Sequence, residues 1–453
     1  MKYREKQRMG FRGAPENGIG FIIPDLLLVV AGFALTSFLF NGTMLSTSEA
    51  VIAMLCGGFA VLFFFGFDLY ASMHLKLQPL LVSVILSAIY TFLCSSAVLF
   101  LFARSTDELL FLTVGTVLSF LLLGLWRAGL CNFLRKYTRR PKLLMVEMPT
   151  DQNTRTARLA ASIRSRYNTA CRQLPAGDNT EIQTWIKLNL PNYDVICLME
   201  TVPMDLRTLF MQACLHMNKE LLVVPSAYEM NFAKVKPEYL DDAMVFHLPS
   251  PRISPFQRFG KRAMDLILSS AALAVVWIPM CIIALIIKLD SPGPIFYKQL
   301  RLTRGKKEFY IYKFRSMVQN AEAKTGPALA TKDDPRITKV GRWLRKLRLD
   351  ELPQLINILM GDMSIVGPRP ERPFFVQQYE KEIPDYDRRF QMKAGLTALS
   401  HVYGRYSTDI IDRTHYDLLY VQNYSLLMDL RIMLLTSRTL FLSDAAEGIV
   451  TED

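Results

Sequence analysis

Four long apolar runs occupy the first third of the chain, at about residues 21–40, 49–67, 79–102 and 109–130. Each has about the ~20 residues that an α-helix needs to cross a lipid bilayer. The sequence therefore predicts a four-helix transmembrane bundle over residues 21–135.

The distribution of Lys and Arg sets the expected orientation of this bundle. An N-terminal arm at 1–20 is basic and a second basic cluster lies at 135–142, whereas the first loop, 41–48, has neither Lys nor Arg. Because Lys and Arg are enriched on the cytoplasmic side of membrane helices, both ends of the bundle are predicted to face the cytoplasm. Few charges lie inside the runs, with Asp25 and Arg127 near their ends. This favours an anchor and dimerisation unit over a transport path, which usually needs intramembrane charges.

The composition restricts the partners of the chain. Hydrophobic residues make up 51% of the 453 residues, and the formal net charge is +12. Apolar runs with an excess of cations fit a protein at an anionic lipid surface, or one with an anionic substrate. Nucleic acid is also a partner of basic chains, but we expect none here because four apolar segments point to a membrane.

Residues 141–248 are predicted to form a Rossmann-like α/β domain. Short apolar strands at Leu143–Val146, Val195–Met199 and Leu221–Val224 alternate with helical stretches, a pattern typical of a parallel sheet. The turn after the first strand, 147–151, lacks the G-x-G-x-x-G run that cradles a dinucleotide pyrophosphate. Regulation or assembly is therefore favoured over dinucleotide binding for this domain.

A fifth apolar run follows a Pro-rich linker predicted at 249–260. It lies within a membrane helix predicted at 264–289, and a full crossing would carry the basic region that follows out of the cell, against the preference of such segments for the cytoplasm. Pro279 has no N–H, so the carbonyl of Val275 loses its helical partner and a kink in the polar zone is favoured. We predict a re-entrant helix that enters and leaves on one face, with a spanning helix as the alternative.

The segment 291–349 is dense in turns and cations. Ile337, Val340, Leu344 and Leu347 recur at spacings of three and four, which predicts one apolar stripe on a helix whose other faces are basic. Beside an apolar run, such a helix favours the membrane surface over a fully solvated position.

Two adjacent carboxylates, Asp350 and Glu351, follow this basic segment. Asp350 is a good N-cap residue and Pro353 is tolerated in a first helical turn, so helix capping is the interpretation that these residues alone favour. In the catalytic interpretation one carboxylate attacks phosphorus, and its neighbour, about 100° further round the helix, binds Mg²⁺.

A third element contains Arg369 between Pro368 and Pro370. The two prolines restrict the backbone, and a planar guanidinium held in place suits phosphate oxygens. A stiff surface loop is the alternative.

Together these features resemble the bacterial sugar transferase domain of the polyprenyl-phosphate hexose-1-phosphate transferases, over about Lys261–Thr436. The matching runs are KR-x-x-D at 261–265, SPGPIFYKQ at 291–299, YKFRSM at 312–317, DDPRIT at 333–338, LDELPQL at 349–355 and GDMSIVGPRPE at 361–371. The bundle and the α/β domain are similar to those of long family members that start O-antigen, capsule or exopolysaccharide synthesis. The resemblance implies a mainly helical phosphoglycosyl transferase domain at 261–442, with a tail at 443–453.

The resemblance also implies a reaction. Asp350 would attack the sugar-side phosphorus of a UDP-hexose, release UMP and carry the sugar phosphate covalently until undecaprenyl (polyprenyl) phosphate displaces it. Glu351 and Mg²⁺ would assist at the phosphates, which makes Asp350 and Glu351 the candidate metal ligands. The implied or assigned phosphate and nucleotide contacts are Arg345, Lys313, Arg315, Pro368, Arg369 and Pro370.

Location and partners follow from the same resemblance. We expect a homodimer in the bacterial cytoplasmic (inner) membrane, in contact with lipid and with the catalytic domain facing the cytoplasm. A re-entrant helix broken at a proline is a family feature, which matches the position of Pro279.

One segment departs from the family pattern. Members commonly carry PGITGWAQVNGR where this chain has AGLTALSHVYGR at 394–405, and this puts sugar specificity and local membrane contact in question. His401 in this segment is expected to be structural, because a lone His more often is. Since the dyad and the Pro-Arg-Pro run are intact, an active enzyme is predicted.

Two other classes of function remain as alternatives. One is a membrane scaffold for polysaccharide assembly without catalysis, and the other is a glycosyltransferase that moves only the sugar and releases UDP. The nucleotide product separates the two enzyme classes.

Overall fold

The computed structural model describes most of the chain in two compact units, Met1–Tyr228 and Glu229–Asp453. The described residues are 18–70, 77–102, 106–137, 140–149, 154–163, 167–226, 229–230, 236–240, 243–247, 253–318, 334–404 and 409–441. The predicted tail at 443–453 and nearly all of the basic arm at 1–20 lie outside these residues.

Four apolar helices open the first unit. They are α1 (Ile22–Asn41), α2 (Thr47–Gly66), α3 (Leu77–Phe102) and α4 (Thr106–Tyr137). Each of them is long and apolar enough to cross a membrane, so the four predicted helices are confirmed and indicate a membrane protein.

A buried charged pair joins α1 to α4. Asp25 on α1 accepts a hydrogen bond from Arg127 on α4, and each side chain is only 3% exposed. The guanidinium carbon of Arg127 lies 5.3 Å from the ring centre of Phe64 and 4.9 Å from that of Tyr70. The two charges near the helix ends are thus buried against each other, which limits their cost in an apolar environment.

A small parallel sheet completes the first unit. Its strands β1 (Lys142–Glu147), β2 (Asn168–Gln173), β3 (Val195–Leu198) and β4 (Glu220–Val223) lie in the order β2-β1-β3-β4. Helices α5 (Thr154–Ile163), α6 (Asn179–Asn189) and α7 (Met204–His216) follow β1, β2 and β3 in sequence. Alternate residues of β1 belong to separate apolar clusters, so this central strand is covered on both faces. The three predicted strands are confirmed, and β2 is an additional edge strand.

The second unit contains an antiparallel hairpin that the sequence analysis did not identify. It consists of β5 (Lys236–Leu240) and β6 (Ala243–His247). Because the division between the units falls at residue 228, the hairpin belongs to the second unit, although residues up to 248 were expected in the α/β domain.

A 36-residue helix, α8 (Pro255–Asp290), follows the hairpin. Ser254 and Gln257 form a capping box, and Pro255 occupies the first turn, where its missing N–H has no helical role. These signals start the helix inside the stretch predicted as a linker, 249–260, so that boundary is corrected.

Pro279 lies inside α8, and the helix continues beyond it to Asp290. At 1.5 Å per residue, α8 is about 54 Å long. It is the fifth helix in the described part of the chain that is long and apolar enough to cross a membrane.

Short elements complete the second unit. β7 (Phe296–Leu302) and β8 (Glu308–Phe314) form an antiparallel pair, and β9 (Met363–Val366) and β10 (Ala394–Thr397) form a parallel pair. The helices are α9 (Lys339–Lys346), α10 (Gln354–Met360), α11 (Pro373–Glu382), α12 (Leu399–Tyr403), α13 (Ile410–Gln422) and α14 (Leu426–Leu440), with 3-10 turns at Leu349–Glu351 and Tyr386–Gln391.

The KR-x-x-D run fastens α8 to the rest of this unit. Lys261 Nζ donates to Asp429 on α14 at 2.7 Å and to the carbonyl of Val366 at 2.9 Å. Asp265 Oδ1 accepts a hydrogen bond from the backbone N–H of Ile365 at 2.9 Å. These contacts fix β9 and the loop after it relative to α8. They are costly to break, because a buried charge that loses its partner is strongly destabilising.

The apolar stripe predicted at Ile337, Val340, Leu344 and Leu347 packs partly inside the unit. Leu344 on α9 is buried with Ile287 of α8 and Phe314 of β8, and Val340 packs against the same cluster. Leu347, the last residue of the stripe, is 54% exposed, and the location of this helix at the membrane surface stays a prediction. Trp343, on another face of α9, is 68% exposed.

Candidate active site

The two adjacent carboxylates lie on the 3-10 turn Leu349–Glu351, between α9 and α10. Arg348, just before the turn, has a left-handed φ of 54°, which ends α9 and redirects the chain. The N-cap of α10 is Pro353, and the cap of the 3-10 turn is Arg348, so the interpretation of Asp350 as a helix cap is wrong. Asp350 is instead 9% exposed within the turn.

Apolar packing fixes this turn against the long helix. Leu349 and Leu352, on either side of the dyad, pack against the cluster that contains Ile287 of α8 and Phe314 of β8. The carboxylates are therefore held beside the helix that carries the fifth apolar run.

Lys313 on β8 faces the second carboxylate. Its Nζ lies 2.8 Å from Glu351 Oε1, and both side chains are 20% exposed. Buried Asn357 on α10 ties that helix to β8, since its Oδ1 accepts from Tyr312 N at 2.9 Å and its Nδ2 donates to Tyr310 O at 2.8 Å. Asn357 thereby sets Lys313 opposite Glu351.

The surroundings shift the pKa values of the two carboxylates in opposite directions. Burial raises the pKa of Asp350, and the charge of Glu351 adds to this effect, while Lys313 and Arg345 oppose it. Burial also acts to raise the pKa of Glu351, but Lys313 and Arg369 outweigh it and hold that pKa well below its ordinary range. Adjacent carboxylates whose environments push their pKa values apart are typical of functional sites.

The loop after β9 comes very close to β10. Gly395 N donates to the carbonyl of Pro368 and Gly367 N donates to the carbonyl of Thr397, each at 2.9 Å. A Cβ at Gly395 would lie 2.1 Å from Gly367 N, so this approach requires glycine.

Two arginines, the buried Arg389 and the partly buried Arg301, bind the next carbonyls of this loop. Arg389 Nη2 donates to the carbonyl of Arg369 at 2.8 Å and pairs with Asp417 at 2.6 Å. Arg301 Nη1 donates to the carbonyl of Pro370 at 3.0 Å. Burial raises the pKa of Asp417 to about 6, although Arg389 acts in the opposite direction. No spacing signal in the sequence had identified Arg301, Arg389 or Asp417.

The guanidinium of Arg369 contacts the divergent segment. Its Nη1 lies 2.9 Å from His401 Nε2 on α12, and the charge of Arg369 lowers the pKa of Glu351. His401 was expected to be structural, but the structure places it beside the candidate nucleotide-binding residue. The two residues are 32 positions apart, so no local pattern could have paired them.

Arg315 contacts a different part of the unit. Its Nη2 donates to the carbonyl of Ser291 at 2.6 Å and to Ser291 Oγ at 2.8 Å, just beyond the end of α8. These contacts anchor the end of the helix through Nη2, and a phosphate contact by Arg315 stays a prediction. Lys313, Arg345 and Arg369 act electrostatically on the dyad and remain candidates.

The two carboxylates are also the candidate ligands of a metal ion. Among the described residues, no group of three or more His, Cys, Asp or Glu side chains converges on one point. Mg²⁺ typically takes one or two carboxylates together with substrate phosphates, so magnesium binding by Asp350 and Glu351 stays a prediction.

Comparisons with known proteins match this same unit. The sequence model of the bacterial sugar transferase family matches residues 256–443. The chain is 43% identical over 190 residues to a UDP-N-acetylgalactosamine-undecaprenyl-phosphate N-acetylgalactosaminephosphotransferase of Aeromonas hydrophila, covering 41% of this chain and 45% of the relative. It is 37% identical over 233 residues to a UDP-glucose:undecaprenyl-phosphate glucose-1-phosphate transferase of Escherichia coli K12, covering 50% of each chain. The match thus spans about half the length of these relatives.

A shorter relative is matched over most of its length. The exopolysaccharide production protein PSS of Rhizobium leguminosarum is 43% identical over 181 residues, which are 38% of this chain and 90% of the relative. The matched residues include the dyad, Lys313, the Pro-Arg-Pro loop and His401, all within 256–443. The chain belongs to the bacterial sugar transferase family.

Proposed function

We propose that the protein transfers a hexose 1-phosphate from a UDP-sugar to undecaprenyl phosphate and releases UMP. The observation that carries this proposal is the position of Asp350: a nearly buried carboxylate beside Glu351, within the electrostatic reach of Lys313 and Arg345. Two of the relatives named above, those of Aeromonas hydrophila and Escherichia coli, are named as transferases of sugar phosphates to undecaprenyl phosphate and support the same chemistry.

The transfer proceeds in two displacements at one phosphorus. A carboxylate oxygen of Asp350 attacks the sugar-side phosphorus, the P–O bond to UMP breaks, and UMP leaves with the bonding electrons. A phosphate oxygen of the lipid then attacks the same phosphorus and displaces Asp350, which regains its carboxylate. Covalent catalysis of this kind allows a soluble donor to leave before the lipid acceptor arrives.

The nearby cations offset the charge of the diphosphate. Arg345 and Arg369 supply guanidinium groups suited to phosphate oxygens, and Lys313 keeps Glu351 anionic and in place. Asp350 and Glu351 would hold Mg²⁺, which when bound supplies further positive charge at the phosphates.

The membrane arrangement follows from the apolar helices and the cations around them. We infer that the protein lies in the bacterial inner membrane with the dyad on the cytoplasmic side, where nucleotide sugars occur. In this arrangement α8 is a re-entrant helix with Pro279 at its bend. We further infer that the parallel-sheet unit is Rossmann-like and serves assembly or regulation, and that the protein is a homodimer.

We propose that this transfer is the first membrane step in the synthesis of a surface polysaccharide, such as an exopolysaccharide, capsule or O-antigen. One relative is named for N-acetylgalactosamine and another for glucose, so the donor test must include both UDP-hexoses and UDP-N-acetylhexosamines.

The test measures the nucleotide released by membranes containing the protein, undecaprenyl phosphate and each labelled donor. Wild type should release UMP, Asp350→Asn should release none, and Asp290→Asn, at an exposed carboxylate at the end of α8, should behave as wild type. Full activity of Asp350→Asn would exclude the nucleophile, and UDP as product would indicate sugar-only transfer. The absence of any nucleotide product from wild type would favour the scaffold.

A further inference from the structure

The side chain of Arg369 is held by an imidazole. Arg369 Nη1 lies 2.9 Å from His401 Nε2. Guanidinium has only N–H groups and accepts no hydrogen bond, so His401 Nε2 must be the acceptor. The imidazole is therefore neutral, with its proton on Nδ1. Nδ1 is buried and has no hydrogen-bond partner among the described residues, so the bond to Arg369 is the polar contact that orients this ring.

The charges around the ring favour its neutral form. Burial lowers the pKa of His401, and Arg369, Arg348 and Arg413 lower it further, while Glu351 has the opposite effect. These groups come from four places: the loop after β9, the residue just before the 3-10 turn Leu349–Glu351, α13 and the 3-10 turn itself. Three cations against one anion keep Nε2 free of a proton and able to accept.

The main chain and the side chain of Arg369 are held by different residues. Arg389 binds the carbonyl of Arg369, and Arg301 binds that of Pro370, so the loop does not depend on the imidazole for its position. His401 acts at the far end of the side chain, on the guanidinium itself. A substitution at His401 can therefore loosen the guanidinium while the loop stays in place.

The charge of Arg369 also acts on the dyad, since it lowers the pKa of Glu351. We propose that His401 is a positioning residue that holds the Arg369 guanidinium in place, ready to bind a phosphate of the nucleotide-sugar donor. This inference rests on the proposed function and deepens it. It assigns a role to the segment at 394–405, where this chain departs from the common family run.

Two substitutions distinguish the hydrogen-bond acceptor of His401 from the packing of its ring. His401→Gln offers an amide oxygen that accepts from Arg369 but does not ionise. His401→Leu fills a similar space without an acceptor. Loss of a hydrogen bond to a charged group typically costs enough free energy to weaken binding about tenfold. We expect His401→Leu to raise the donor KM about tenfold with kcat within about twofold of wild type, and His401→Gln to restore the wild-type KM.

A double-mutant cycle tests whether His401 acts through Arg369. In an Arg369→Ala background, His401→Leu should change the donor KM by less than about twofold, because the group that it positions is gone. A tenfold rise in that background would overturn the inference, and so would an unchanged KM in His401→Leu alone. Equal losses in the Gln and Leu variants would mean that ring packing, not the acceptor, is what matters.

The affinity for UMP tests the role of His401 without requiring the protein to catalyse the reaction. Calorimetric titration of the purified full-length protein with UMP should show about tenfold weaker binding by His401→Leu than by wild type or His401→Gln. If wild type binds UMP but releases none from any donor, the proposed function fails while this comparison still decides the role of His401. Equal UMP affinity in all three proteins would overturn the inference, whatever the activity.

Discussion

Lys313 Nζ lies 2.8 Å from Glu351 Oε1, so a cation of β8 neutralises the second carboxylate of the dyad. Asp350 has no such direct ion pair among the described contacts; burial and the charge of Glu351 act on it instead. Two neighbours in sequence are thus given different charge environments by elements that come from separate parts of the chain.

Replacing Lys313 with Met should lower kcat/KM for the donor by about 10- to 100-fold, the range expected for a lost hydrogen bond to a buried charge. Without the ammonium, Glu351 either repels the diphosphate or takes up a proton and loses its role. The measurement is the initial rate of UMP release against donor concentration. Lys298→Met is the matched control, because Lys298 is an exposed lysine on the neighbouring strand β7. Equal losses in the two variants would mean that general surface charge, and not the ion pair, matters.

Much of this arrangement could be predicted from residue patterns. Apolar runs identified α1–α4, and short apolar stretches identified β1, β3 and β4, because burial in lipid or in a sheet leaves a local signature. Strand β2 was missed because its sequence, NTACRQ, is largely polar and its edge position leaves it mostly exposed. Only its pairing with β1 defines it as a strand.

The site itself was predictable only in part. The dyad and the Pro-Arg-Pro loop are contiguous runs, so the resemblance located them. The bond of Lys313 to Glu351 and that of Arg369 to His401 join residues 38 and 32 positions apart, which depends on tertiary packing. The bond of Arg315 to Ser291, 24 positions away, depends on tertiary packing in the same way.

Substitution of Gly395 by Ala should displace the Pro-Arg-Pro loop. The new Cβ would lie 2.1 Å from Gly367 N and 2.5 Å from Gly367 O, so β10 and the loop must separate. Since a shift of about 1 Å in a positioning group can cost about 100-fold in rate, we expect a loss of that order in kcat/KM. Gly58→Ala, where nothing lies within 4 Å of the new Cβ, should retain activity. Wild-type kinetics in Gly395→Ala would show that the loop does not need this close contact.

The donor KM should stay constant between pH 8 and pH 6 despite a histidine at the site. The pKa of His401 lies well below its ordinary value of about 6.5, because burial, Arg369 and Arg348 disfavour the imidazolium. A group with a lowered pKa remains neutral as the pH falls through 6.5, so Nε2 keeps accepting from Arg369 over this range.

The check is the ratio of the donor KM of wild type to that of His401→Gln, measured at pH 8, 7, 6 and 5. The glutamine variant does not titrate, so the ratio cancels pH effects that arise elsewhere. A constant ratio down to pH 6 is expected, and a rise should begin only below that. A rise centred near pH 6.5 would contradict the neutral, buried imidazole.

The ion pair of Asp25 and Arg127 should stabilise the helical bundle chiefly because each charge is costly without the other. Leu at either position alone leaves a buried charge unpaired, which typically costs about 3–5 kcal/mol. Leu at both positions removes both charges, so the double variant should be more stable than either single variant. The measurement is the thermal unfolding midpoint of the detergent-solubilised protein, with Lys187→Leu, at an exposed position on α6, as the control. If the unfolding midpoint of the double variant falls by the sum of the two single-variant changes, the two charges act independently. Arg127 would then depend more on Phe64 and Tyr70 than on Asp25.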